Sequence, residues 1–127
     1  MNKQILITAG VFGATAVVLG AFGAHALKAR LTEQALETWH TAVQYQFYHV
    51  FALLFLALIH PNDAGNLRLS ATFFTCGILL FSGSLYLLSL REMLQMPWLK
   101  FLGPVTPIGG LLFIAGWVML IISAVRR

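Results

Sequence analysis

Acidic side chains are almost missing from this chain: four Asp and Glu stand against eight Lys and Arg, and charged residues make up 9% of it, where a soluble domain carries roughly a quarter. The acids, Glu33, Glu37, Asp63 and Glu92, fall outside the long apolar runs, so the spans hold no acid pair for hydrolysis and no carboxylate to mark an ion path. No nucleophile motif or phosphate-binding loop accompanies them. Cysteine is scarcer still. Cys76 stands alone, which excludes an internal disulfide and a cysteine-based metal cluster, and its place in an apolar run predicts a buried, inert thiol. The basic residues sit at the ends of apolar runs with no stripe to follow a phosphate backbone, so nucleic acid is not an expected partner.

What is present is hydrocarbon: 59% of the 127 residues are apolar and the mean hydropathy is +0.84. A bilayer core takes about 20 apolar residues per helix, so a chain this short has room for four spans and no soluble domain beside them. The expectation is an all-α, integral-membrane four-helix bundle built from two helical hairpins. It forms a single domain over 1–127, with spans at about 5–26, 42–60, 69–90 and 104–125. Lys3 and the Ala24-His25-Ala26 string resemble a secretory signal, but the first apolar run outlasts the 7 to 15 residues or so of a signal peptide. Small residues in that run, Ala9, Gly13, Ala16, Gly20 and Ala24, recur every three or four places and leave one helix face almost bare for close packing.

Leu27, Leu31, Ala35 and Trp39 keep a spacing of four, with Glu33, Glu37 and His40 opposite, which predicts a short amphipathic interfacial helix between the first two spans. Thr32 is its natural cap, and no Gly or Pro interrupts the pattern from there to His60. His60 to Asn66 reads as a tight hairpin loop. In the third span Ser70, Gly77 and Ser84 fall seven apart, as do Thr75, Ser82 and Ser89; in the fourth, Gly109, Gly116 and Ser123 repeat the spacing. All three rows suit helix contact. Pro107, with Gly109 and Gly110 behind it, predicts a kinked or broken first turn packed against the polar start of the second span.

That polar start, Thr41 to His49, brings amides, phenols and an imidazole into the membrane. Helices one and three end where two and four begin, so His25, Gln44, Tyr45, Tyr48, His49, Ser84 and Thr106 gather towards one leaflet, alongside Gln46, Ser82 and Tyr86. Counting at 1.5 Å per residue puts His49 about 10 Å below that surface. Two readings follow. In the first, the chain is a non-enzymatic structural or accessory membrane protein whose polar groups lock the helices together. Its partners are the lipid bilayer and, through the small-residue faces of Gly77, Gly109, Gly116 and the first span, another copy or a second membrane protein. In the second, the seven named residues bind a small molecule or lipid headgroup in a half-membrane pocket, with transport as one outcome. A less supported alternative is a haem- or metal-binding protein, since His25, His40 and His49 could approach one side; no HxxxH or HxxE pair occurs, and no metal or cofactor is expected. Lys and Arg divide evenly between the two faces. The unopposed Arg126 and Arg127 favour termini in the cytoplasm.

Four strings occur in order: Gly20-Ala-Phe-Gly-Ala-His-Ala-Leu27; Thr41-Ala-Val-Gln-Tyr-Gln46 with His49; Leu80-Phe-Ser-Gly-Ser-Leu-Tyr86; and Thr106-Pro-Ile-Gly-Gly110 with Gly116-Trp117. Over nearly the whole chain this resembles the bacterial inner-membrane family called domain of unknown function 423, the YgdD-like proteins, to which eukaryotic transmembrane protein 256 is similar. The resemblance implies a small four-helix integral membrane protein of the inner membrane. It brings no established activity and no catalytic residues to carry over.

Overall fold

A computed structural model describes residues 1–59 and 64–126. Helix α1 spans Lys3–His25 and is capped by Asn2, whose Oδ1 accepts from the Ile5 amide at 3.1 Å. Helix α2 spans Glu33–Leu58, with Thr32 Oγ1 accepting from the Ala35 amide at 3.1 Å. The third crossing is composite: α3 over Ala64–Gly77, a π-helical turn over Ile78–Ser82, and α4 over Gly83–Leu90. A 3-10 helix, Pro97–Leu102, leads into α5, Val105–Val125. Among the described residues four segments are long and apolar enough to cross a bilayer: Lys3–His25, Glu33–Leu58, Gly65–Leu90 and Pro97–Val125.

Three local expectations are refined. The amphipathic stretch is the opening of α2 itself, because nothing breaks the helix between Thr32 and the membrane. The expected hairpin loop falls partly at residues 60–63, which lie outside the described residues, while Gly65 and Asn66 already belong to α3. Pro107 does not break α5, which runs through it from Val105. It is the third helical residue after Pro104, and the first four amides of a helix have no intrahelical partner, so its missing N–H costs nothing there. The irregularity lies instead in the facing crossing, where the Gly83 amide reaches back five residues to the Ile78 carbonyl.

That π turn faces α5 in a zipper of large and small residues. A Cβ added to Gly116 would lie 2.6 Å from the Phe74 ring; one on Gly77 would strike the Phe113 ring; one on Gly109 would strike the backbone of Phe81. One step further along, Ser84 Oγ and Thr106 Oγ1 share a hydrogen bond of 2.6 Å. The positions on one strand of the zipper, 74, 77, 81 and 84, descend in the same steps on the other as 116, 113, 109 and 106, so phenylalanine meets glycine at every level before the hydroxyl pair. In a bilayer such interlocking takes the place of hydrophobic driving force, since lipid tails are as apolar as the side chains themselves.

The first hairpin packs on the small residues of α1. Gly13 lies against Val50, Gly20 against Val43, and Gly23 under the Trp39 indole. Ala9 and Ala16 are buried in the same seam, whereas Ala24 faces outward and Gly23 takes its expected place. The apolar core, centred on Leu53, Leu56, Phe74, Ile78 and Phe113, fills the half of the bundle nearer the termini. Cys76 is half-buried rather than enclosed, on the wall of a recess of about 290 Å³ between α1 and α3.

Candidate functional site

Helix α2 is the hub, and its inward face reads Trp39, Ala42, Gln46, His49, Val50, Leu53, Leu56 and Ala57. Every polar group on that face is joined to a neighbouring helix or to its own backbone. Gln46 Nε2 donates to the Phe12 carbonyl at 2.8 Å and to Thr15 Oγ1 at 2.9 Å, while its Oε1 accepts from the Tyr86 hydroxyl at 2.6 Å. One amide thus ties α1 and α4 to α2. Trp39 Nε1 donates to the Leu19 carbonyl at 2.9 Å, and its indole packs on the Tyr86 ring with centroids 4.7 Å apart. Ser82, at the end of the π turn, donates to the Ala42 carbonyl at 2.7 Å. Ser70 donates to the Gly116 carbonyl at 2.7 Å. The threonines of the other half, Thr8, Thr72 and Thr75, return their hydroxyls to carbonyls of their own helices.

His49 has a defined protonation state. The Trp117 indole N–H can only donate, and it lies 3.2 Å from Nε2; the Tyr45 carbonyl can only accept, and it lies 2.7 Å from Nδ1. The partners therefore assign a neutral imidazole with its proton on Nδ1. The ring stacks on Phe113, 3.6 Å between centroids and 6° from parallel, and meets the Phe74 ring at 5.3 Å. Both nitrogens are engaged, so neither has a lone pair free for a metal or haem iron. Among the described residues no three His, Cys, Asp or Glu side chains come together as a metal site.

Outside this polar seam, α2, the π turn and α5 leave a groove of about 580 Å³ lined by Tyr45, His49, Phe81, Gly110, Phe113 and Trp117. Its walls are overwhelmingly aromatic and aliphatic. Tyr45 is 38% exposed there, its ring 4.8 Å from Phe81, and its hydroxyl has no protein partner among the described residues.

The seven residues singled out from sequence divide into three groups. Tyr45 and His49 share the groove. Ser84 and Thr106 bond each other across α4 and α5. His25, Gln44 and Tyr48 are exposed on the outer surface, Tyr48 meeting the cluster only through its ring, 5.6 Å from that of Tyr45. Trp39, Gln46, Ser82, Tyr86 and Trp117 do much of the joining and were not among the seven. A signal for two of them exists: the alternating three-and-four spacing 39, 42, 46, 49, 53, 56 selects Trp39, Gln46 and His49 for the inward face and leaves out Gln44 and Tyr48.

Four crossings and a satisfied polar interior define the class: a multi-pass, all-helical membrane protein. The family model described as "Protein of unknown function (DUF423)" matches residues 19–110, and the chain belongs to that family. The UPF0382 membrane protein of Staphylococcus haemolyticus is 40% identical over 124 residues, 98% of this chain and 97% of its own. The UPF0382 membrane protein YwdK of Bacillus subtilis is 37% identical over 126 residues, covering 98% of each. No solved structure matches the chain at a significant level.

Proposed function

We propose that the chain is a non-enzymatic accessory protein of the bacterial inner membrane, with both termini in the cytoplasm, whose polar groups serve to hold its helices in one arrangement. The observation that carries this reading is that no buried side-chain nitrogen or oxygen among the described residues lacks a hydrogen-bond partner. A catalytic or transport site keeps polar groups available for its substrate, and here Gln46, His49, Ser82, Ser84 and Thr106 are committed to one another, to neighbouring helices or to helix backbone. Because the inward small-residue faces are filled from within the chain, a membrane-protein partner or second copy meets the outward side of α1, the least covered crossing. The test is thermal unfolding of the purified protein in lipid nanodiscs. Replacing His49 by Ala is expected to lower the melting temperature and to release no bound molecule; unchanged stability with loss of a co-purifying compound would overturn the reading.

The aromatic groove favours a second reading, in which an uncharged, membrane-dissolved compound lies beside His49. Gly110 offers a clean probe, since a Cβ there meets only the Phe81 ring at 3.8 Å, ordinary contact, whereas a longer side chain extends into the groove. If Gly110→Leu leaves stability intact and removes a co-purifying compound, the groove is a binding site.

A further inference from the structure

We propose that the chain carries, at the membrane surface where α4 ends, a binding site for the headgroup of a monoanionic phospholipid with a hydroxylated head, its phosphodiester held between Arg91 and Lys100. This site lies apart from the polar seam and the aromatic groove and goes beyond the function proposed above.

The two cations are brought together by a tight reversal of the chain. Arg91 caps α4, and its carbonyl then accepts from the Met96 amide at 2.9 Å while the Glu92 carbonyl accepts from the Gln95 amide at 3.1 Å. Gln95 takes a φ of 53°, in the left-handed region that few residues other than glycine adopt, and Pro97 starts the 3-10 helix that carries Lys100 back towards Arg91. The result is a recess of about 390 Å³ lined by Arg91, Glu92, Gln95, Pro97 and Lys100. Buried Leu99 fastens this segment to the bundle.

Charge and depth identify the occupant. No carboxylate among the described residues comes within salt-bridge distance of either cation, and the Lys100 ammonium has only the Phe101 ring, 5.7 Å away. With Glu92 in the wall, two cations and one carboxylate leave a single positive charge in the recess, which one phosphodiester neutralises. The Glu92 carboxylate and the Gln95 amide oxygen are acceptors, suited to the hydroxyls of a glycerol head; a choline head offers them no donor. Trp98 and Phe101, 57% and 72% exposed on the same short helix, set the recess at the level of headgroups, where aromatic side chains anchor membrane proteins. Basic residues held at that depth attract anionic lipid.

The test is native mass spectrometry of the full chain titrated with phosphatidylglycerol, phosphatidylethanolamine or phosphatidylcholine. The parent is expected to retain phosphatidylglycerol preferentially, and Arg91→Gln with Lys100→Gln to weaken it about thirtyfold. Arg91→Lys is expected to keep most of the binding, and Lys28→Gln with Arg30→Gln, cations on the same membrane face, to keep all of it. Equal retention of the three lipids, equal loss in both double variants, or displacement of the lipid by millimolar glycerol phosphate would overturn the proposal.

Discussion

Gln46 shows how much one residue does in this interior. Its amide joins the Phe12 carbonyl, Thr15 and Tyr86, so Gln46→Leu removes three bonds and strands the Tyr86 hydroxyl. Interhelical hydrogen bonds in membrane proteins average about 0.6 kcal/mol, which puts the expected loss near 2 kcal/mol. Tyr86→Phe keeps the ring against Trp39, and the double variant is expected to lose less than the two single losses added together, because the same bond is broken in both. Unfolding in mixed micelles of the four members of the cycle measures this; strict additivity would show that the pair does not interact. The same residue marks where sequence reading stopped short. A run such as Gln44-Tyr45-Gln46-Phe47-Tyr48-His49 announces polarity at membrane depth, but which member turns inward depends on the phase of the helix against its neighbours. Only Gln46 and His49 share the side of Ala42 and Leu53.

At the scale of elements, the third crossing and α5 fit through a register of rings against glycines. The spacings of seven in both helices were readable as contact rows, and Ser70, Gly77, Ser84, Gly109, Gly116 and Ser123 do lie between helices. What spacing alone could not supply was the π turn, since Ile78 to Ser82 has the composition of any apolar helix; the turn lies where the Phe81 backbone meets Gly109 of α5. Gly109 and Gly110 separate these effects. Gly109→Ala places a methyl group against the Phe81 backbone, which cannot rotate aside, and is expected to cost about 1–3 kcal/mol. Gly110→Ala meets only the Phe81 ring at 3.8 Å, ordinary contact, and is expected to change stability little. Thermal denaturation of the two proteins side by side decides it: equal melting temperatures would mean that the crossing does not pack on Gly109. Gly77→Ala pushes on a side chain instead, so combining it with Phe113→Leu is expected to recover part of its loss.

The whole molecule is lopsided in two ways. Its apolar core lies nearer the termini, while Trp39, Gln46, Ser82, Ser84, Tyr86 and Thr106 occupy the half near the long connections. The four crossings, and the gathering of polarity in one half, were legible because lipid imposes strict rules on length and on exposed polar groups. The second asymmetry was not legible: α2 touches α1 and the third crossing along its length and α5 through His49, whereas α1 rests chiefly on α2 and shows the bilayer most of its surface. A small-residue stripe reports a close neighbour without saying which one. If α1 is where a partner docks, Gly10→Cys in a Cys76→Ser background is expected to crosslink in native membranes. A band of monomer alone would remove that role.

Buried polar groups at membrane depth are committed to neighbouring helices or to helix backbone, and His49 is the sharpest instance. Nitrogen-15 NMR of the histidine-labelled protein in lipid bilayers reads the state of that ring directly. The expected result is a neutral imidazole protonated at Nδ1, with Nε2 accepting from Trp117 and that coupling lost in Trp117→Phe. An imidazolium, or a ring protonated at Nε2 and unaffected by Trp117→Phe, would contradict it.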